Sequence, residues 1–218
     1  MKPWLSICLL CCAAAPAAVS APPEQPGARE VPAFLEGTVR QLRATVAGIT
    51  TLVARAHMVR RTAGLREPVN ADCAIAYAAP DVLRMDVAGP CGYLLLVSNG
   101  VATTASAGHD WQDVRPLAGH ERVLDDVLGI ATFADGRAFD FQLRVEGDET
   151  VITAYLRPDQ REKREQAFAE YGRSAMLHVV WLNTVTGRIR QTRVRTLGGD
   201  DTTLSFRELW INGVLQSQ

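Results

Sequence analysis

The chain has 218 residues, a mass of 23.7 kDa and 47% apolar residues, which favours a folded globular domain over disorder. Its 23 Lys and Arg residues are balanced by 24 Asp and Glu residues, so the net charge is −1 and nucleic-acid binding is disfavoured. Beyond the N-terminus the sequence has no apolar run long enough to cross a bilayer as a helix.

The first twenty residues have the order of parts found in a secretory signal peptide. Lys2 precedes an apolar stretch from Trp4 to about Cys12, and a run of small residues follows as far as Ala21. Cleavage after Ser20 avoids placing a proline first in the mature chain. The pattern therefore predicts export of a soluble chain.

This cleavage site divides the chain into a signal peptide at 1–20, a flexible leader rich in Pro and Gly at 21–31, and a single domain at 32–218. An alternative is a lipoprotein signal acylated at Cys11 or Cys12. That alternative needs a small residue before the cysteine, and this chain has Leu10 or Cys11 there.

Two cysteines, Cys73 and Cys91, remain after signal cleavage. In an oxidising compartment an isolated pair is most simply a disulfide. Closing a loop of this length stabilises a fold by about 3 kcal/mol in the chain-entropy model. A zinc site is disfavoured because histidine ligands are not nearby in the sequence.

A helix is predicted to begin near Pro32, because apolar residues recur at spacings of four and three as far as Ile49. From Thr51 the period changes to two, which predicts the first strand. On this strand Leu52, Ala54, Ala56 and Met58 share one face.

Two hairpins are predicted next. Strands at 71–78 and 82–87 are separated by a break at Pro80, with Tyr77 opposite Leu83, Ile75 opposite Met85 and Cys73 opposite Val87. A further hairpin joins the strands at 93–98 and 101–105 through Asn99-Gly100, and Trp111 to Val114 adds a short strand.

The remaining sequence predicts an amphipathic helix at 121–130, with Val123 and Val127 on its apolar side, and then more strands. Phe139, Phe141 and Leu143 alternate with polar residues, and a charged run at 159–170 predicts an exposed helix. We expect a mainly β domain with some α structure. Its strongly curved antiparallel sheet has about ten or eleven strands joined by tight turns, and two or three helices.

We predict no catalytic residue, metal site or cofactor, and hence no enzyme. The four histidines, at 57, 109, 120 and 178, lack metal-binding spacing, and the sequence contains no phosphate-binding loop. Ser174 lacks the second glycine of a nucleophile elbow. The basic strand from Arg188 to Arg195 has two interpretations, a surface for anionic lipid or an outward face paired with acidic neighbours.

The apolar face of the predicted sheet is the remaining candidate site. Its inward residues are mostly small or medium in size, and aromatic residues make up only 6% of the chain. A loosely filled apolar interior of this kind can admit an acyl chain.

A resemblance to a known family comes from residues 76–100, AYAAPDVLRMDVAGPCGYLLLVSNG. The segment is similar to the LolA-like family of outer-membrane lipoprotein carriers. The matching features are Pro80, the pair Leu83-Arg84, Pro90 and the Leu-Val-Ser-Asn-Gly turn that ends at Gly100. Ala79 stands where carriers often have a basic residue.

This resemblance implies an open half-barrel capped by helices, and a periplasmic carrier that transfers acyl chains without chemistry. Its partners would be the acyl chains of lipoproteins or other lipids, together with membrane-bound donor and acceptor proteins, and the carrier is expected to be a monomer. The alternative function is a sensory or regulatory domain of the same fold that binds lipid or protein. The predicted cavity residues are Leu52, Ala54, Ala56, Met58, Ile75, Tyr77, Leu83, Met85, Leu94, Leu96, Val123, Val127, Phe139, Phe141 and Leu143.

Overall fold

The computed structural model describes residues 47–90, 92–106, 110–116, 138–161 and 175–215, together with residues 37, 38, 40, 42 and 44. The predicted signal peptide, leader and helix at 121–130 lie outside the described residues, as do Val123 and Val127 of that helix. Among the described residues, no helix has the length and apolar character that crossing a membrane requires.

The described part of the chain forms one antiparallel sheet of twelve strands, which confirms a mainly β fold with strands close in number to those predicted. The strands are β1 (Thr51–Arg61), β2 (Val69–Ala78), β3 (Val82–Val87), β4 (Tyr93–Ser98), β5 (Val101–Ser106), β6 (Gln112–Pro116), β7 (Phe139–Glu146), β8 (Glu149–Leu156), β9 (Ala175–Asn183), β10 (Ile189–Thr196), β11 (Asp201–Ile211) and β12 (Val214–Leu215).

The strand order is β6-β5-β4-β3-β2-β1-β11-β10-β9-β8-β7, and β12 pairs with β11 beside this path. The sheet is open, with β6 and β7 at its two edges. β1 therefore lies in the middle, between β2 and β11. We call the side on which Leu52 is buried the core face, and the opposite side the outer face.

The first half of the sheet follows its sequence pattern closely. On β1 the burial alternates, with Leu52, Ala54, Ala56 and Met58 all nearly inaccessible to solvent. The register of β2 and β3 is as predicted, since Tyr77 pairs with Leu83, Ile75 with Met85 and Cys73 with Val87. The turn between β4 and β5 has Asn99 and Gly100 at positive φ, which is the conformation of a type I′ hairpin.

Bulges interrupt the pairing near the centre of the sheet. The register of β1 against β11 shifts between Arg55 and Ala56, and that of β10 against β9 shifts beside Ile189 and Thr196. An extra residue on one strand bends it and increases the local twist. These bulges therefore favour the curvature of a half-barrel.

The second half buries residues on both faces. Ile152 and Ala154 of β8 belong to the core cluster, whereas Val151, on the outer face, is also fully buried. Val179 of β9 is likewise buried on the outer face. Strict alternation is therefore lost in β8 and β9.

Helical structure is sparse in the described residues. Residues 37, 38, 40, 42, 44 and 47 are helical, as the stripe ending at Ile49 predicts, and Leu42 and Ile49 join the core cluster. Residues 158–161 form one helical turn at the start of the charged run, whose later residues lie outside the described part. The helical cap stays a prediction.

Candidate functional site

Small side chains line the middle of the core face. Ala54 and Ala56 lie on the central strand β1, and Ala71 and Cys73 lie beside them on β2. All four are buried. Because alanine and cysteine are small, these four are the smallest core-face side chains of β1 and β2. We call these four residues the small-residue strip.

Larger apolar side chains flank this strip. Leu52 and Met58 lie at its two ends on β1, while Phe206 and Leu209 lie beside it on β11. Further out, Tyr77, Tyr93, Phe141 and Leu143 are only partly buried and pack against the same cluster. Apolar side chains thus occur along the core face from the centre of the sheet to strands near both edges.

The structure brings most of the predicted cavity residues together on one face. On the core face lie Leu52, Ala54, Ala56, Met58, Ile75, Tyr77, Leu83, Met85, Phe139, Phe141 and Leu143. Tyr77 is held there by its hydroxyl, which donates to the Pro80 carbonyl oxygen at 3.0 Å. Whether these residues contact lipid stays a prediction.

The placement of Leu94 and Leu96 on this face was wrong. Leu83 pairs with Val97 and Met85 pairs with Leu95, so Val97 and Leu95 are the core-face residues of β4. Leu96 is 39% exposed on the outer face, and Leu94 lies on the same side. The apolar run YLLLVS lacks the polar alternation that distinguishes the two faces of a strand.

The predicted bridge between Cys73 and Cys91 stays a prediction. Cys73 is buried and forms no disulfide with any described residue. Cys91 lies outside the described residues. Burial raises the pKa of the Cys73 thiol to about 11, so in this environment the thiol is protonated at neutral pH.

A cationic side chain ends the row of core-face residues on β1. Arg60 follows Met58 at the next position on this face, opposite Thr202 of β11 and Val69 of β2. Its Nη2 donates to Asp200 Oδ2 at 3.1 Å, while Asp200 Oδ1 accepts the Ala63 backbone N–H. The sequence analysis missed Arg60, although the alternation that includes Met58 continues directly to it.

The outer face near β1 is polar and its charges are paired. Asp72 accepts hydrogen bonds from His57 and Arg207 at 3.1 Å, and these interactions, led by the bond from His57, lower the pKa of Asp72 by more than desolvation raises it. Arg55 lies 3.8 Å from Glu208. This face is a solvated surface with mixed charge.

The basic strand β10 has acidic partners. Asp201 accepts hydrogen bonds from both Arg193 and Arg195, and Arg190 pairs with Asp148 and Glu149. Burial raises the pKa of Asp201, but the two arginines outweigh this effect and lower it. Of the two interpretations of this strand, the structure supports the paired outward face.

An apolar depression lies on the outer face where β1 and β11 meet. Thr51, Val53, Trp210 and Gly213 line a volume of about 300 Å³. Trp210 pairs with both Val53 and Leu215, and all three side chains are exposed. We call Val53, Trp210 and Leu215 the outer patch.

The histidine on β9 is buried against an aromatic ring. His178 is buried on the core face, and its ring packs edge-on against that of Phe139 with centroids 5.8 Å apart. Within the described ranges, no three or more His, Cys, Asp or Glu side chains are grouped to hold a metal ion.

Several solved structures are similar to this chain. The chain is similar in structure to LolA-superfamily proteins. A LolA-superfamily protein from Nitrosomonas europaea matches at a TM-score of 0.41 and 6% identity, over 82% of this chain and 94% of that one. No family model matches the sequence, and no curated protein matches it.

Two further solved structures are similar. The Mycobacterium tuberculosis lipoprotein LppX matches at a TM-score of 0.42 and 15% identity, over 78% of this chain and 91% of LppX. A chain of the Pseudomonas aeruginosa MucA/MucB complex matches at a TM-score of 0.45 and 11% identity, over 83% of this chain and 58% of that one.

Proposed function

We propose that this protein is an exported periplasmic carrier that binds the acyl chains of a lipoprotein or another envelope lipid and transfers them without chemistry. The acyl chain lies on the core face, along the small-residue strip. Membrane-bound proteins act as donor and acceptor, and the carrier works as a monomer. No residue acts as a catalyst in this function.

The observation that carries the proposal is the difference between the two faces at the centre of the sheet. Ala54, Ala56, Ala71 and Cys73 place small side chains on the buried, apolar side, while the opposite side carries charged pairs such as Arg207 with Asp72. A hydrocarbon chain therefore has one favourable side of the sheet on which to lie.

Affinity without covalent chemistry follows from the hydrophobic effect. Burying each methylene contributes about 0.8 kcal/mol, so a chain only partly covered by the protein still binds usefully. Release then requires only a partner with a deeper apolar site, because the binding energy is distributed over many weak contacts.

Filling the small-residue strip tests this proposal. We expect Ala56→Leu to weaken binding of monopalmitoylglycerol by about tenfold or more, because the larger side chain occupies the space of several methylenes. Binding is measured by displacement of the neutral fluorescent probe N-phenylnaphthylamine from the delipidated mature protein. Ala74→Leu is the matched control, since Ala74 is the neighbour of Cys73 and is exposed on the outer face.

Two further measurements keep this test decisive. Circular dichroism shows whether Ala56→Leu folds, and Ala54→Val provides a smaller change on the same strip if it does not. Lipid mass spectrometry of protein purified natively from the periplasm should recover a stoichiometric acylated species. Equal affinity of the wild type and both strip variants, with no copurified lipid, would refute the proposal.

The second candidate is a sensory or regulatory domain that binds a protein or lipid. The outer patch favours it, because Val53 and Trp210 are large apolar side chains that stay exposed next to one another. In that case Trp210→Ser would abolish binding of that protein or lipid, while binding of acyl chains to the core face stayed unchanged. Loss of acyl binding with the other binding intact would exclude this candidate.

A further inference from the structure

We infer that the carried lipid has an anionic head, a carboxylate or a phosphate, and that Arg60 binds it at one end of the core face. This inference rests on the proposed function and adds the chemical class of the ligand. It is based on the position of the Arg60 guanidinium, which directly follows a row of buried apolar residues on β1. Of its adjacent donors Nε and Nη2, only Nη2 has an acceptor among the described residues.

The core-face residues of β1 are apolar along most of the strand and end in a cation. Leu52, Ala54, Ala56 and Met58 alternate along β1 with almost no exposure, and Arg60 is the next residue on that face. From Leu52 to Arg60 the strand rises about 27 Å. An amphipathic molecule with its tail over the alanines therefore has a cation available at one end only of this strand.

The hydrogen bonding of Arg60 is incomplete. Its Nε atom is buried, and no described residue offers that N–H an acceptor. The adjacent Nη2 donates to Asp200 Oδ2, but the other oxygen of Asp200 accepts the Ala63 amide instead of Nε. One carboxylate is thus shared between two donors, and the buried Nε–H of Arg60 has no acceptor among the described residues.

Two other arginines show the complete arrangement. Arg84 donates through Nε and Nη2 to the two oxygens of Asp86, at 2.7 and 3.1 Å. Arg193 donates through the same two nitrogens to Asp201. A buried donor without an acceptor is destabilising, so an oxygen delivered to Arg60 Nε would relieve a cost that Arg84 and Arg193 do not bear.

Access to the guanidinium is possible from solvent. The Arg60 side chain keeps 39% of its surface exposed, although Nε itself is covered. Thr202, opposite Arg60 on β11, adds a hydroxyl on the same face. A carboxylate or phosphate oxygen therefore has a charged donor and a neutral donor on adjacent strands, with apolar side chains next to them.

The test compares lipids that differ only in the head. Palmitate is paired with hexadecanol, and palmitoyl lysophosphatidate is paired with monopalmitoylglycerol, each displacing N-phenylnaphthylamine from delipidated mature protein. We expect the anionic member of at least one pair to bind about tenfold more tightly, and the preferred pair identifies the head as carboxylate or phosphate.

Variants locate the effect at Arg60. Arg60→Gln should remove the preference for the anionic lipid and leave the neutral lipid unaffected, whereas Arg61→Gln removes the same charge from the exposed outer face and should retain the preference. Arg60→Lys keeps the charge without the Nε donor and should retain only part of the preference. Its behaviour also shows whether position 60 tolerates change if Arg60→Gln fails to fold.

The outcomes separate this inference from the proposed function. If all four lipids fail to displace the probe from the wild-type protein, the carrier function itself is refuted. If all four bind with equal affinity, or if the preference survives in Arg60→Gln, the carrier function stands and the anionic head site at Arg60 is refuted.

Discussion

The two halves of the sheet solve the same packing problem differently. From β1 to β4 the core face is mostly buried and the outer face is exposed or half-buried, as Ala54 and the exposed Val53 illustrate on one strand. In β8 and β9 some side chains are buried on each face, since Val151 and Val179 of the outer face are buried as well as the core residues Ile152 and Val180. These two strands therefore pack on both sides, whereas β1 to β4 pack on the core face, where the central side chains are small.

This contrast indicates that the two halves differ in how much their own burial stabilises them. A face lined with alanines gains less from its own burial than a face lined with larger side chains. The first half therefore has more to gain from a covalent link and from a bound ligand.

The largest effect is expected at the predicted bridge of the first half. Reduction of a Cys73–Cys91 disulfide should lower the free energy of unfolding by about 3 kcal/mol, because the unfolded chain regains the entropy of an open loop. Urea unfolding with and without reductant measures this. A variant lacking both cysteines should be insensitive to reductant.

The bridge itself is tested by alkylating unfolded, unreduced protein. Folded protein is unsuitable for this assay, because the high pKa of the buried Cys73 thiol suppresses its reaction at neutral pH. Full alkylation of both cysteines without reductant would contradict the bridge and remove this stabilising link from the first half.

A smaller effect is expected from a matched pair of valines on the outer face. Val151→Ala should lower the free energy of unfolding by about 2.5 kcal/mol, because it deletes two methyl groups from a fully buried site and leaves a cavity. Val53→Ala removes the same atoms from a side chain that is 53% exposed, and should cost less than about 0.5 kcal/mol. Similar losses for both variants would remove the contrast between the halves.

The smallest effect concerns the ion pairs of the second half. Asp201→Asn should cost about 2 kcal/mol at neutral pH, because Arg193 and Arg195 lose their shared carboxylate. The folded pKa of Asp201 lies below the ordinary value of 3.8, so its stabilisation is complete above that pH and is lost as pH falls through the folded pKa. Unfolding measured from pH 7 to 2 should therefore lose this contribution at the acid end in the wild type only.

The sequence predicted the first half well because its strands have a clear period of two. The register of Cys73 against Val87 followed from one turn at Pro80, and the hairpin at Asn99-Gly100 from the turn chemistry of that dipeptide. Where the pattern was uniformly apolar, as in β4, one face could not be told from the other, and Leu94 and Leu96 were misplaced.

The sequence analysis missed tertiary features of the site for a physical reason. The shared carboxylate of Asp200 joins Arg60 to a loop 140 positions away in sequence, and no local pattern reports such a contact. Burial of Val151 on the outer face equally depends on what surrounds the sheet. The exception is the face on which Arg60 lies, since extending the alternation of β1 by one step would have placed a cation beside Met58.

The position of β1 also determines how the molecule can be assembled. β1 begins near residue 51 and pairs along its whole length with β11, which ends at residue 211, so the middle of the sheet joins the two ends of the domain. Until β11 is available, β1 has one edge without its native partner. Sheets that pair strands distant in sequence form slowly, and an unpaired strand edge can associate with other chains. The folding intermediate most prone to such association is therefore the one in which β11 is not yet paired with β1.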